Sequence, residues 1–417
     1  MKSNQRIHGL IQSGLIYTII QFATALGNMA FSAVMVRNLP SAGQYSDANS
    51  AINGFIPLLG LTPSIALFAV AHYIAHYKAC GDEARLQGLL AGCRKFLLYL
   101  TIAGSLLAIV VIKPLSNFFH YSQSMTLVML VSALLQLWAS LAAALCQGLS
   151  WFKRLALIGF LTMTIRILFG WGVTLRWPSA ETAVLASIVA LSANLLILLW
   201  RRELKISAKP VSPWNREFVH YLIVSAACLV GGYFFTKGDL LVAKRFFIKA
   251  DNDAYNISEQ LASALPIAVA PLLTVLFTSR STGRSGNIVG EQLKLMGIYV
   301  SALLFGAAAL FSLRHFCVQI MAGRPAPASE GLIGCLALTM VFVGLLQAIA
   351  YWALSSRWHK ISLLYGVLGL LYWATLFSLG HTPAMLLTVM PIATGVAFMV
   401  MFIFWLKCMR RHHPVQS

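Results

Sequence analysis

Apolar positions in this chain come in long unbroken runs, not in the alternation of a half-buried strand or the one-sided spacing of a surface helix. A helix needs about 20 mainly apolar residues to cross a bilayer. Runs of that length are expected to form twelve spans, at about 13–36, 50–77, 96–112, 123–147, 155–175, 182–200, 219–243, 255–279, 293–312, 331–354, 361–379 and 384–406. A closed β-barrel would show weak alternating segments of about ten residues instead, and the pattern contains none. The expected fold class is therefore an all-α polytopic membrane protein, because a helix satisfies its own backbone where no water is present.

The polar breaks organise these spans. The longest, WRRELKISAKPVSPWNREF, follows the sixth and carries Arg201, Arg202, Lys205, Lys209, Pro210, Pro213 and Arg216. It divides the chain into two sets of six, an N-terminal bundle at 1–207 and a C-terminal bundle at 208–417. The break CGDEARLQGLLAGCRK reads as a short amphipathic surface helix before the third span, and Lys113 and Pro114 read as that span's outer boundary. MKSNQRIHGLIQSG begins basic but leads into no short apolar core with a small-residue cleavage site, so it reads as a retained first helix.

Composition narrows the class further. With 59% hydrophobic and only 10% charged residues, an ordinary soluble domain is excluded. The formal net charge of +19 could suggest nucleic acid, but no soluble basic-aromatic module is present, and no nucleic-acid partner is expected. The basic residues instead segregate by loop. With the N-terminus placed in the cytoplasm, the outer side receives only Arg37, Lys113, Arg176, Lys244, Arg245, Lys249, Arg314 and Arg324, and the other loop cations lie inside. That asymmetry puts both termini in the cytoplasm and the basic linker beside anionic membrane lipids. The seven cysteines have neither metal-ligand nor CxxC spacing and read as small apolar packing residues, so no metal site is expected.

Ionisable side chains inside the runs single out the functional candidates. Arg166 lies in the middle of IGFLTMTIRILFGWGV, where exposure to lipid costs about 2.5–3.5 kcal/mol or more, so it is expected to face inward. The seventh span carries Lys237 and Asp239 near its end, and the eighth carries Glu259 near its beginning. Arg166, Lys237 and Asp239 are the candidates for substrate binding or translocation, and Glu259 for ion coupling or a secondary cavity. A structural Arg166–Asp239 pair is the alternative for those two. His72 and His76 share a helix face without an acidic companion and read as an interfacial pair.

The region around Glu259 has a counterpart near the N-terminus. Arg37 to Tyr45 matches Arg245 to Tyr255 within two residues, and Tyr45 to Pro57 matches Tyr255 to Pro266 within one. Each segment also has a second proline, Pro63 and Pro271. Proline-interrupted spans at equivalent places in two halves point to a substrate site between transporter repeats. Pro57, Pro63, Pro266 and Pro271 are thus candidates for gating or helix breaks.

RNLPSAGQY, with Arg37, Pro40, Gly43 and Tyr45, and KGDLLVAKRFF…DAYNISEQLASALP, with Asp239, Lys244 and Tyr255, resemble the multidrug, oligosaccharidyl-lipid and polysaccharide (MOP) exporter superfamily. The resemblance is strongest to the Wzx-like polysaccharide flippases, with Ala254 where a glycine is usual. It implies a MATE-like MOP transporter fold in a bacterial inner membrane. It further implies translocation of an undecaprenyl-diphosphate-linked oligosaccharide, such as an O-antigen or exopolysaccharide unit, by alternating access. The implied partners are that polyprenyl-diphosphate-linked glycan, membrane lipids, and a polysaccharide polymerase with its assembly proteins. Arg166 and Lys237 would meet diphosphate or acidic sugar, and Asp239 would orient Lys237 or couple to a cation. The sequence has no nucleotide-binding loop, so no cofactor is expected, and proton or sodium coupling would supply any drive. Two alternatives stand beside this reading: a cation-coupled multidrug exporter of the same superfamily, and a membrane glycosyltransferase or ligase.

Overall fold

The computed structural model describes residues 20, 23–24, 26–39, 43–59, 70–71, 73–75, 77–78, 80–149, 151–199, 216–281, 288–356 and 358–412. His72, His76, Pro63 and most of the 201–216 linker lie outside the described residues. Every regular element described is helical. The chain forms two compact units, Met1–Ala226 and Ala227–Ser417.

In the first unit, helical residues 26–38 (α1) lead to α2 (Gln44–Asn49), a π-helical turn at Ser50–Phe55, and α3 (Ile56–Leu59). The π turn stands immediately before Pro57, whose missing N–H leaves the carbonyl of Asn53 without its usual helical donor. Helical residues 70–71, 73–75 and 77–78 belong to α4. There follow α5 (Glu83–Phe119), α6 (Gln123–Gly148), α7 (Phe152–Arg176) and α8 (Ala180–Leu199), with α8 packed on both α6 and α7.

α5 differs from expectation at both ends. Asp82 caps its start by accepting from the backbone N–H of Arg85 at 3.0 Å, so the segment expected as a separate surface helix is the first part of the spanning helix itself. The helix also continues through Pro114 and stops only where His120 turns left-handed at φ 56°. Leu106, Leu107, Ile109 and Val110 are all more than 60% exposed, the face of a helix bathed in lipid hydrocarbon.

α9 (Arg216–Phe246) carries the chain into the second unit. It is followed by α10 (Lys249–Ser281), α11 (Ile288–Ser312), α12 (Arg314–Ala322), α13 (Pro327–Ser355), α14 (His359–Leu379) and α15 (Pro383–His412). α13 is the central helix of this unit and packs on α10, α11, α14 and α15, with Met340, Val343, Leu346 and Ala353 fully buried. Among the described residues, eight helices are long and apolar enough to span a membrane, and each coincides with one of the expected spans. The first half of α10 is its polar part, with Asp251, Asp253, Asn256, Glu259 and Gln260, and its second half is apolar.

α9 and α14 approach more closely than side chains would allow. A Cβ built on Gly231 would stand 2.5 Å from the Tyr365 carbonyl oxygen, and one on Gly369 would stand 2.5 Å from the Gly231 Cα. Small residues of this kind let membrane helices meet backbone to backbone. Gly369→Ala is expected to destabilise the protein by about 1–3 kcal/mol through overpacking. Gly297→Ala, on open surface with nothing within 4 Å, should be neutral or slightly stabilising. Thermal unfolding in detergent distinguishes the two, and equal behaviour would refute the close approach.

Ser46 in α2 and Asn252 in α10 are both buried, so exposed positions serve better for accessibility labelling. In a cysteine-free background, a cysteine at Asp251 should react with an impermeant maleimide in intact cells. One at Glu83 should react only after the membrane is opened. The reverse pattern would invert the orientation inferred from the basic loops.

Candidate functional site

Two clusters of polar side chains lie within the apolar helices, one in each unit. The second unit's cluster forms between α9 and α10. On α10, Tyr255, Glu259 and Ser263 are spaced four apart and share one face. Opposite them α9 presents Lys237 and Asp239.

The Lys237 Nζ donates to Glu259 Oε1 at 2.7 Å and to Ser263 Oγ at 3.1 Å. The Tyr255 hydroxyl donates to Asp239 Oδ2 at 2.5 Å and lies 3.4 Å from the Met390 sulfur. Glu259 is fully buried, Asp239 is 1% exposed and the Lys237 side chain 15% exposed. Asp239 feels the charges of both Glu259 and Lys237. Each carboxylate has one oxygen satisfied, and the others, Asp239 Oδ1 and Glu259 Oε2, are buried with no hydrogen-bond partner among the described residues.

The role expected for Asp239 as the group orienting Lys237 is therefore corrected. The ammonium is held by Glu259, and Asp239 is held by Tyr255. Lys237 is consequently not a free cation awaiting phosphate. α10 runs helical through Pro266 and Pro271, so neither interrupts it, and Pro57 follows the π turn of the first unit.

In the first unit, α7 places Arg166 against α1. Its Nη1 donates to Asn28 Oδ1 at 3.0 Å, and its guanidinium lies 4.2 Å from the centre of the Phe31 ring. Gly170, one turn along α7, makes room for that ring, since a Cβ there would stand 2.7 Å from Phe31 Cε2. Arg166 Nε is buried without a hydrogen-bond partner among the described residues, and no acidic side chain among them pairs with the guanidinium. The group forms part of the wall of a narrow cleft of about 10 Å³, together with Phe31, Ser32, Tyr45, Asn49 and Asn53.

The sequence pointed to Arg166, Lys237, Asp239 and Glu259, and the structure joins the last three. Ser263, Asn28 and Asn53 were missed. For Ser263 and Asn53 the signal was present in the spacing, since Tyr45, Asn49 and Asn53 repeat the four-residue steps of Tyr255, Glu259 and Ser263. Among the described residues, no group of three or more His, Cys, Asp or Glu could hold a metal ion.

The pair makes an energetic prediction. Removing one partner of a buried ion pair costs about 3–5 kcal/mol, whereas replacing both is far milder. Lys237→Met is expected to unfold well below the parent protein, and Lys237→Met combined with Glu259→Gln to recover most of the loss. A double variant no better than the single one would show that the two side chains are not coupled.

No protein-family profile and no curated protein matches the chain. Solved structures do. An inward-facing multidrug-resistance MATE family transporter of the MOP superfamily is similar at a TM-score of 0.71 and 12% identity, over 96% of this chain and 100% of the other. An outward-facing one is similar at 0.67 and 13%, over 96% and 95%. A MATE in complex with MaL6 is similar at 0.65 and 13%, over 96% of each chain. These likenesses establish an all-α, multi-pass membrane fold of the MATE-like MOP type. They also correct the expected partner. MATE proteins among the matching chains were solved in complex with MaL6, Br-NRF, MaD3S and MaD5, which points away from the expected polyprenyl-linked glycan. The correction has a physical side here, since Lys237, one of the two cations assigned to the diphosphate, is already neutralised by Glu259.

Proposed function

We propose that this chain is a cation-coupled exporter of small organic molecules in the cytoplasmic membrane, working by alternating access with the halves 1–207 and 208–417 as its moving bodies. The observation that carries this reading is the cluster of two buried carboxylates around one ammonium, each carboxylate keeping an oxygen without a partner among the described residues. With all three groups ionised the cluster holds one uncompensated negative charge. Such a charge costs several kcal/mol away from water, and ionisable groups at membrane depth are functional by default.

Binding one proton or one sodium ion neutralises the cluster. The loaded form then tolerates an apolar surrounding that the unloaded form does not, which ties ion loading to the direction in which the protein opens. Pro57, Pro266 and Pro271 are the points at which the surrounding helices would bend. The shared fold with multidrug transporters solved in both inward- and outward-facing conformations supports this reading over the flippase one.

Reconstitution tests it. Proteoliposomes holding the purified protein are challenged with fluorescent organic solutes of positive, negative and zero net charge under an imposed pH or sodium gradient. At least one solute is expected to move against its own gradient, and Asp239→Asn and Glu259→Gln should each cut that coupled flux about tenfold or more at equal protein amount. Flux indifferent to both gradients, or unchanged in both variants, would overturn the coupling role.

A further inference from the structure

We infer that α12 is an interfacial helix lying on the bilayer surface, with Leu313, Phe316 and Ile320 dipped into the edge of the hydrocarbon and Arg314 and Arg324 on the phosphates of anionic phospholipids. The inference stands apart from the transport reading, because it concerns the connection between α11 and α13 and not the ion cluster.

α12 joins two helices that are long and apolar enough to span a membrane, and at nine residues, or about 14 Å, it is too short to span one itself. It presents three different faces. The helix packs on α10 and α13, and Val318, Met321 and Ala322, three and four residues apart, are its buried side chains. His315 and Gln319, one turn apart, are exposed and polar. The His315 Nδ1 lies 2.9 Å from Glu330 Oε1 at the start of α13, which fixes the rotation of α12 about its axis. Leu313, Phe316 and Ile320 form the third face, again three and four residues apart, and they are 54%, 60% and 52% exposed. At 3.6 residues per turn the polar pair falls between the packed face and this open apolar one. A helix lying in the plane of the interface requires that order: one side on the protein, one in hydrocarbon and one in water. In a water-exposed loop, three large apolar side chains would stay hydrated, and the packed face and the His315–Glu330 contact prevent α12 from turning them inward.

The charges at its ends select the lipid. The Arg314 guanidinium lies 4.6 Å from the centre of the Phe311 ring, on the last turn of α11, and both residues are exposed. An arginine laid over an aromatic ring at the end of a span places its apolar stem in the membrane and its head at headgroup level. Arg324, also exposed, follows Gly323, which ends α12 in the left-handed conformation at φ 69°. The two cations thus bracket the open apolar face. The one acidic residue in 311–330, Glu330, is engaged by His315. A second copy of the chain is the competing occupant of this face. A two-fold pairing sets each surface against its own equivalent, so it would bring arginines against arginines. Three side chains also cover far less than the roughly 1,200 Å² of a stable protein interface. Anionic headgroups over hydrocarbon match both the sign of the ends and the apolar middle.

Spin labels and quenching lipids test the placement. Protein in a cysteine-free background is reconstituted in nanodiscs of phosphatidylcholine and phosphatidylglycerol, with a nitroxide at Phe316→Cys, Gln319→Cys or Ile320→Cys. Power saturation is expected to show the labels at 316 and 320 relaxed more by oxygen than by a water-soluble nickel chelate, and the label at 319 the reverse. A bimane at Ile320→Cys is then exposed to brominated lipids at equal low fractions and low salt. Brominated phosphatidylglycerol should quench it at least about fivefold more than brominated phosphatidylcholine, the enrichment that one basic residue gives at an anionic surface. Arg314→Gln with Arg324→Gln should abolish that excess, while Arg314→Lys with Arg324→Lys keeps it, which separates lost charge from a damaged fold. Nickel access at 316 and 320 would put the face in water, and shielding from both reagents would put a second copy of the chain on it; either overturns the placement. Equal quenching by the two lipids, or an excess that survives the glutamine pair, would overturn the anionic-lipid assignment.

Discussion

Holding an ammonium and two carboxylates together away from water is the constraint on which the second unit depends. The desolvation of each group costs several kcal/mol, and only close pairing offsets it. That requirement explains why α10 is polar on one face over the two turns from Tyr255 to Ser263, and why the face meets Lys237 and Asp239 on α9. It also explains the glycine contact of α9 with α14. A helix seated that closely on one side has its other side fixed, so Lys237 and Asp239 are delivered to their partners without freedom to drift.

Most of the fold was legible in the sequence, because span length and hydropathy are direct consequences of the bilayer. Boundaries were less so. α5 extends past both of its expected ends because a capping aspartate and a tolerated interior proline leave no trace in an apolar average. Of the site, the buried charges were legible from their cost alone, as Arg166, Lys237, Asp239 and Glu259 show. Their pairing was not. Which of two nearby carboxylates takes an ammonium depends on helix rotation, and a single turn decides between Asp239 on the same helix and Glu259 on the next. The partner class was misjudged for the same reason: Lys237 taken singly looks like a phosphate contact, while with Glu259 and Asp239 it belongs to an ion cluster.

The two repeats keep one register and fill it with different chemistry. Tyr45, Asn49 and Asn53 stand where Tyr255, Glu259 and Ser263 stand, yet one row is neutral beside a guanidinium and the other acidic around an ammonium. In the first row the amides bond to each other, Asn53 Nδ2 donating to Asn49 Oδ1 at 2.6 Å.

The π turn before Pro57 bears on that frame. Tyr45 and Pro57 are one residue further apart than Tyr255 and Pro266, and the longer copy is the one that contains the π-helical turn at Ser50–Phe55. In an uninterrupted α-helix one extra residue rotates everything beyond it by about 100°. Widening a single turn absorbs the addition where it occurs, as a dislocation in a crystal confines a misfit row to its core. The wider turn therefore takes up the extra residue over six positions and leaves the facing of what lies on either side intact, a local adjustment that the shorter spacing around Pro266 does not need.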